Sequence, residues 1–459
     1  MSYLLDLVKS FDENERKQFR HFDVIGKEEL VCLQYAKHAA GKDFDETLLP
    51  AKLQLTKSHF DKINSVLLNK ALLHFAGPVL KDKLDYLGRK QLPRLILHEL
   101  KLTEKKLKKQ NDTGTLLQFY EEAFRSTITA NYNNFPLREI DHYAQSYMRL
   151  LGKEQEALKY RMFAHLHETM IRYHSAREQG SVENEKSLRH LLNLQQSVSG
   201  KKMYEVEMRI HLGLSAYYEI DDIHKTLHHL LEADAAARKV YDTISDKDKS
   251  FLLAMLGQQM LVLSRYPEAI AKYNELFTRF PYRANYLYHP YQLVFALLIV
   301  KDFKRAEEAM KKYIEPFLKN ENARNFHFDI MRLYAIYHLL NKETAKAGDY
   351  LQRILQFGKQ DFTPLGDVLF RLVHNVYCVQ TGDYALAADV LKKNIKFIDS
   401  KSETDGLEPY KKMFLDLGKV IRYKSKGATA KQPFPLADLE EGEGRARLFM
   451  DLIRLPLQS

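Results

Sequence analysis

The sequence predicts an all-α protein: a right-handed superhelical solenoid of stacked helical hairpins, with a non-repeating helical module ahead of it. Two observations carry that expectation. Apolar residues recur at i, i+3, i+4 and i+7 through most of the 459 residues, the spacing of one helix face. Glycine and proline, 19 and 13 in all, fall between those stretches as punctuation, while period-2 alternation closed by hairpin dipeptides is lacking apart from Asp405-Gly406 in a polar stretch. With 45% apolar and 11% aromatic residues the chain has ample material for a large core, which excludes a mainly disordered protein.

Residues 1–80 read as five helices near 3–11, 14–22, 28–40, 46–53 and 58–75, and this segment does not follow the later repeat. Its pattern resembles the helical N-terminal module that precedes repeat arrays in some uncharacterised bacterial proteins. Residues 81–202 form an irregular helical region, with four helices expected after residue 115, broken at Asn133-Asn134-Phe135-Pro136, Leu151-Gly152 and Gln179-Gly180. The third segment, 203–424, is the repeat array. It opens with a hairpin over 203–240, with Leu212-Gly213 in its first helix and Ala233, Ala235, Ala236 and Ala237 in its second, and ends with a helix over 407–423. Residues 425–459 are a polar linker and a short amphipathic helix over 445–455, whose Leu448, Phe449, Leu452 and Ile453 share a face and need cover, so a cap on the last hairpin is expected.

Internal similarity is strongest in the array. Four segments pair two helices, the second opening on Tyr266-Pro267-Glu268-Ala269, Phe303-Lys304-Arg305-Ala306, Thr344-Ala345-Lys346-Ala347 and Tyr384-Ala385-Leu386-Ala387, which places one alanine at steps of 37, 41 and 40 residues. Such a period means a helical-hairpin solenoid. The unit over 250–283 resembles the tetratricopeptide repeat: Leu256-Gly257, Ala269, Tyr273 and Pro281 fall on that family's Leu-Gly pair and its later small, aromatic and proline positions. Gly257 and Ala269 lack bulk where two helices cross, Tyr273 is expected to fill the gap to the next unit, and Pro281 stops the second helix. The other three units keep the alanine but carry Val294, Ala335 and Asn375 in place of the glycine.

The resemblance implies an inner face lined by the first helix of each hairpin. On that register the face presents Phe251, Gln258, Tyr288, Tyr291, Phe295, Asp329, Arg332 and Ile336. Aromatics beside a few polar groups suit a peptide, whose backbone needs hydrogen bonds and whose side chains need apolar pockets. Phe251, Phe295 and Ile336 also suit simple packing, so Gln258, Tyr288, Tyr291, Asp329 and Arg332 are the candidate peptide-binding residues of a protein- or peptide-binding scaffold or regulator.

Rival chemistries find little support. Neither a G-x-x-x-x-G-K-[ST] loop nor G-x-G-x-x-G occurs, and Gly442-Glu443-Gly444 sits among acids that would repel a phosphate. No G-x-S-x-G elbow is present. Of 18 histidines only His224 and His228, with His229 adjacent, have i, i+4 spacing, and Glu139 to His142 is the single E-x-x-H found where a di-iron bundle wants two. The reading is therefore a non-enzyme without catalytic residues, metal or cofactor; a helical enzyme with an unrecognised site ranks third. Ranked second is a nucleic-acid-linked regulator, from two basic segments, 81–109 and 409–431, each with a net charge of +6 against +10 for the whole chain. Lys101, Lys105, Lys108 and Lys109 form a helical stripe there. Residues 53–63 also resemble the turn and recognition helix of a helix-turn-helix, with Gln54 where a turn glycine is usual; the plainer expectation is a helix capped by Ser58 with Asp61 as acidic partner. The N-terminus lacks a signal-peptide pattern, the longest apolar run, Leu293 to Val300, is too short to span a bilayer, and Cys32 and Cys378 are too few for a disulfide framework. A cytoplasmic protein without a membrane partner is expected.

Overall fold

The structure is a computed structural model that describes residues 2–38, 44–129, 137–175, 182–219, 221–319, 324–356, 364–400, 408–426, 439 and 446–457. Among these residues every regular element is helical and no strand is present. The expected breaks at Asn133-Asn134-Phe135-Pro136 and Gln179-Gly180, the Asp405-Gly406 turn, Gly442-Glu443-Gly444 and nearly all of the polar linker lie outside the described residues. Contacts divide the chain into two compact units, Met1–Tyr217 and Tyr218–Ser459.

The first unit runs α1 (Tyr3–Lys9), α2 (Glu13–Arg20), α3 (Lys27–His38), a 3-10 turn, α4 (Leu49–Lys52), α5 (Lys57–Ala76), α6 (Leu80–Arg89), α7 (Pro93–Gln110), α8 (Thr113–Thr129), α9 (Leu137–Leu150), α10 (Glu156–Ser175), α11 (Val182–Val198) and α12 (Tyr204–Tyr218). Local chemistry sets the ends: Asp12 and Glu15 form a capping box on α2. On α5 the cap is Thr56, whose side chain accepts from the His59 N–H. Ser58, the cap expected from the sequence, is thus already inside the helix, two residues beyond the observed one, because Gln54 takes a left-handed φ of 52° and closes the preceding turn early. Polar side chains pin these helices individually. Tyr35 and Ser2 both hydrogen-bond the Glu46 carboxylate. Lys90, which caps the C-terminus of α6, pairs with Glu15 of α2 at 2.5 Å. Glu168 of α10 takes Arg172 at 3.2 Å and Arg209 of α12 at 3.3 Å.

The second unit is a tetratricopeptide-like array: α13 (Ile223–Lys239), α14 (Asp246–Val262), α15 (Tyr266–Arg279), α16 (Tyr288–Ile299), α17 (Phe303–Ala309) continued through a π turn (Met310–Ile314) into α18 (Glu315–Leu318), α19 (Arg324–Leu340), α20 (Thr344–Leu355), α21 (Pro364–Gln380), α22 (Tyr384–Asp399), α23 (Glu408–Ser425) and α24 (Ala446–Arg454). Hairpins α14/α15, α16/α17, α19/α20 and α21/α22 pack internally and onto one another in sequence. Each closes on one residue with positive φ, namely Ser264 (60°), Lys301 (61°), Lys342 (61°) and Gly382 (80°), spaced at the same 37, 41 and 40 residues as the alanines. In the first three the amide of that residue and the next bond back in Schellman fashion: Ser264 N–H to Leu261 O and Arg265 N–H to Met260 O, then Lys301 to Leu298 and Asp302 to Leu297, then Lys342 to Leu339 and Glu343 to His338. The turn fixes how the second helix leaves the first. Five residues on, Ala269, Ala306, Ala347 and Ala387 are fully buried, letting the helices approach.

The Tyr273 ring covers Gly257 inside the same hairpin, 3.1 Å from where a Cβ would stand, and stacks on Phe277, which meets Tyr313 of the next hairpin. Phe280 and Pro281 end α15 as expected. Asn375, where a repeat glycine is missing, turns its amide across the hairpin, the nitrogen donating to Ala387 O (3.2 Å) and the oxygen accepting from Leu391 N–H (3.1 Å).

Candidate functional site

The first helices α16, α19, α21 and α23 line one face of the second unit, and α24 lies against all four of them. The expected cap on the last hairpin therefore reaches further back, over three earlier first helices. No residue of 446–457 is exposed: Leu448, Phe449, Met450, Leu452, Ile453, Leu455 and Pro456 are buried and the others are half-buried. Phe449 meets Phe295 of α16 at 5.9 Å between ring centroids, and Phe295 stacks on Tyr291 at 6.0 Å. Arg447, Asp451 and Arg454 fall at i, i+4 and i+7, gathering the helix's charges on one stripe. Burial raises the Asp451 carboxyl, against the pull of Arg447, Lys301 and Arg454 nearby. Arg454 donates from Nη2 to Leu439 O at 3.2 Å, fixing the approach to the helix.

Three of the five sequence-derived candidates come together on this face. The Arg332 guanidinium on α19 pairs with Asp329 at 2.7 Å, donates to the Tyr291 hydroxyl on α16 at 3.4 Å and to Gly366 O on α21 at 3.1 Å. It thereby ties three consecutive first helices; at 5% exposure its charge is paired from within, while its Nε is buried without a hydrogen bond. Asp329 keeps 43% of its side-chain exposure. Tyr288, at the start of α16, is 44% exposed, whereas Gln258 sits half-buried on α14 and takes no part in the Arg332 cluster. Phe295 and Ile336 are buried and Phe251 is half-buried. Sequence reasoning missed the occupant, α24, as a member of this site; its apolar face was the available signal.

No protein-family model matches the chain, and no curated protein matches it. A solved structure similar to it is a signal-transduction ATPase with numerous domains that carries a tetratricopeptide repeat sensor, from Pyrococcus horikoshii: 16% identity, a TM-score of 0.48, and coverage of 90% of this chain and 64% of that one. The chain thus spans less than two thirds of that protein's length.

Elsewhere the other candidate features resolve into packing. Glu139 pairs with Lys101 at 2.9 Å and His142 with Glu104 at 3.0 Å, so the E-x-x-H segment faces α7. Burial pushes the Glu104 carboxyl up, yet hydrogen bonds from Lys108, His142 and Tyr120 hold it below its ordinary value. Two of the four stripe lysines, Lys101 and Lys108, are consequently matched by carboxylates. His229 stacks on Tyr218 at 5.7 Å. Among the described residues no group of three or more His, Cys, Asp or Glu is arranged to hold a metal ion, and no helix is long and apolar enough to cross a membrane.

Proposed function

We propose that the chain is a protein- or peptide-binding scaffold or regulator that works through the first-helix face of its second unit, with no chemistry of its own. One observation supports it above the rest: this face accommodates an amphipathic helix so completely that none of the helix's residues remains exposed. A surface that buries Phe449, Leu452 and Ile453 while leaving Asp329 and Tyr288 accessible at its side has the apolar anchors and polar rim of a peptide site. Gln258, Tyr288, Tyr291, Asp329 and Arg332 are its proposed contacts, Arg332 acting by holding Tyr291 and Asp329 in place. A cytoplasmic location fits two buried thiols, one of which, Cys32, burial pushes up to about 12.

Affinity capture from the native cell followed by mass spectrometry tests this. Changing Tyr288 and Tyr291 together to alanine should weaken a captured partner by about 2 kcal/mol, the scale of anchor residues, with helicity unchanged. If affinity survives that change and neutralising Lys101, Lys105, Lys108 and Lys109 abolishes it, an electrostatic partner such as a nucleic acid replaces the groove reading; a steep salt dependence would accompany it.

A further inference from the structure

Resting on the groove reading, we infer that the partner is an amphipathic helix of another protein, and that α24 is its intramolecular stand-in, displaced when the partner binds. Three features point there. The helix is short: nine residues span about 14 Å at 1.5 Å each, and a helix of that length is marginal alone in water. It therefore gains its order on the face it occupies. It is also unlike a repeat helix, since it pairs with no second helix in a hairpin and instead crosses α16, α19, α21 and α23 together. Finally, its pattern is that of a groove ligand, with Leu448, Phe449, Leu452, Ile453 and Leu455 inward and Arg447, Asp451 and Arg454 on one stripe.

The chemistry of the displacing helix follows from what α24 satisfies. An aromatic is required at the Phe449 position, to meet Phe295, with aliphatic residues three and four positions later for the Leu452 and Ile453 sites. Tethering sets the threshold for exchange. Residues 426–445 join α24 to α23, and a tether of this kind gives an effective concentration on the order of millimolar. A separate helix with the same contacts at about 10 µM is thus outcompeted roughly 100-fold, and a natural partner must exceed α24 in length or contacts.

Cutting the tether after folding is the direct test. A protease site is placed within residues 427–438 of the full chain, the folded protein is cleaved, and a fluorescein-labelled peptide of residues 446–457 is titrated by anisotropy. The uncut chain should bind it about 100-fold more weakly than the cut chain, and a peptide with Phe449→Ala and Leu452→Ala should bind neither. Cut protein that keeps α24 through gel filtration and refuses the peptide would make α24 a permanent structural member and overturn the inference. Equal binding to cut and uncut chains would also overturn it, as would exchange of α24 between two copies to give a dimer. The same cut protein goes into the capture experiment: a partner sensitive to Tyr288→Ala and Tyr291→Ala but not competed by the peptide leaves the groove reading standing while the helix inference falls. Loss of both sinks both.

Discussion

The two units hold their helices together by different means. In the first, Glu99, Glu104, Glu168 and Arg209 are buried, and each carboxylate is the centre of a local network that occurs once in the sequence. The second unit relies on a repeated device: a positive-φ residue and a buried alanine five residues later, copied four times, with the Schellman pair of hydrogen bonds in the first three. Its buried Arg332 and Asp416 are exceptions, and Arg332 lies on the candidate site. Unique polar contacts specify irregular helix packing, whereas a repeated turn lets neighbouring hairpins present their first helices to one face. That is why a candidate binding surface arises in the second unit.

If that contrast is right, the largest effect should come from a network in the first unit. Glu168→Ala removes the carboxylate that faces the 93% buried Arg209 and should cost about 3 kcal/mol or more, the usual penalty for breaking a buried pair; a shift under about 1 kcal/mol by urea denaturation would show the network to be incidental. Next, in the second unit, Gly257→Leu drives a side chain into the Tyr273 ring and should cost about 1 to 3 kcal/mol through overpacking. An unchanged melting temperature would contradict the hairpin register.

A pH series reads one half-buried histidine of the first unit. Burial, with help from the neighbouring His190 and Lys186 charges, lowers His167 to about 3. In the unfolded chain the same group titrates near 6.5. The unfolded state therefore takes up the proton first, and this contribution to stability is complete above pH 6.5 and is lost as pH falls toward 3. His167→Gln should flatten the dependence of unfolding free energy on pH across that window, and an unaltered slope would place His167 in water. The smallest effect concerns the repeated turn. Lys342→Gly relieves a left-handed non-glycine residue and should leave stability equal or raise it by up to about 1 kcal/mol, while Gly382→Lys should lower it by about 1 kcal/mol. Opposite signs at both positions would mean that the four turns are not equivalent.

Much of the helical order was legible because it is local. The alanine steps of 37, 41 and 40, the stop at Pro281 and the first five helices all follow from periodicity and punctuation within a few residues. The turn geometry was half-hidden: only Gly382 advertises positive φ, while Ser264, Lys301 and Lys342 adopt it because the Schellman hydrogen bonds outweigh a steric cost of about 1 to 2 kcal/mol. For the candidate site, spacing placed Tyr291, Asp329 and Arg332 on one face, and the Asp329–Arg332 pair is local at i, i+3, but the contact that joins Arg332 to Tyr291 spans 41 positions.

By itself, then, the amino-acid order determined which stretches are helices, where the hairpins repeat and which stripe of residues 445–455 is apolar. Tertiary structure alone decided what that stripe covers. An amphipathic helix needs an apolar partner but does not encode which one, since burial is non-directional and proportional to area. The choice of four first helices over a single end cap came from the shape they jointly make, as did the burial of Arg332 between α16 and α21.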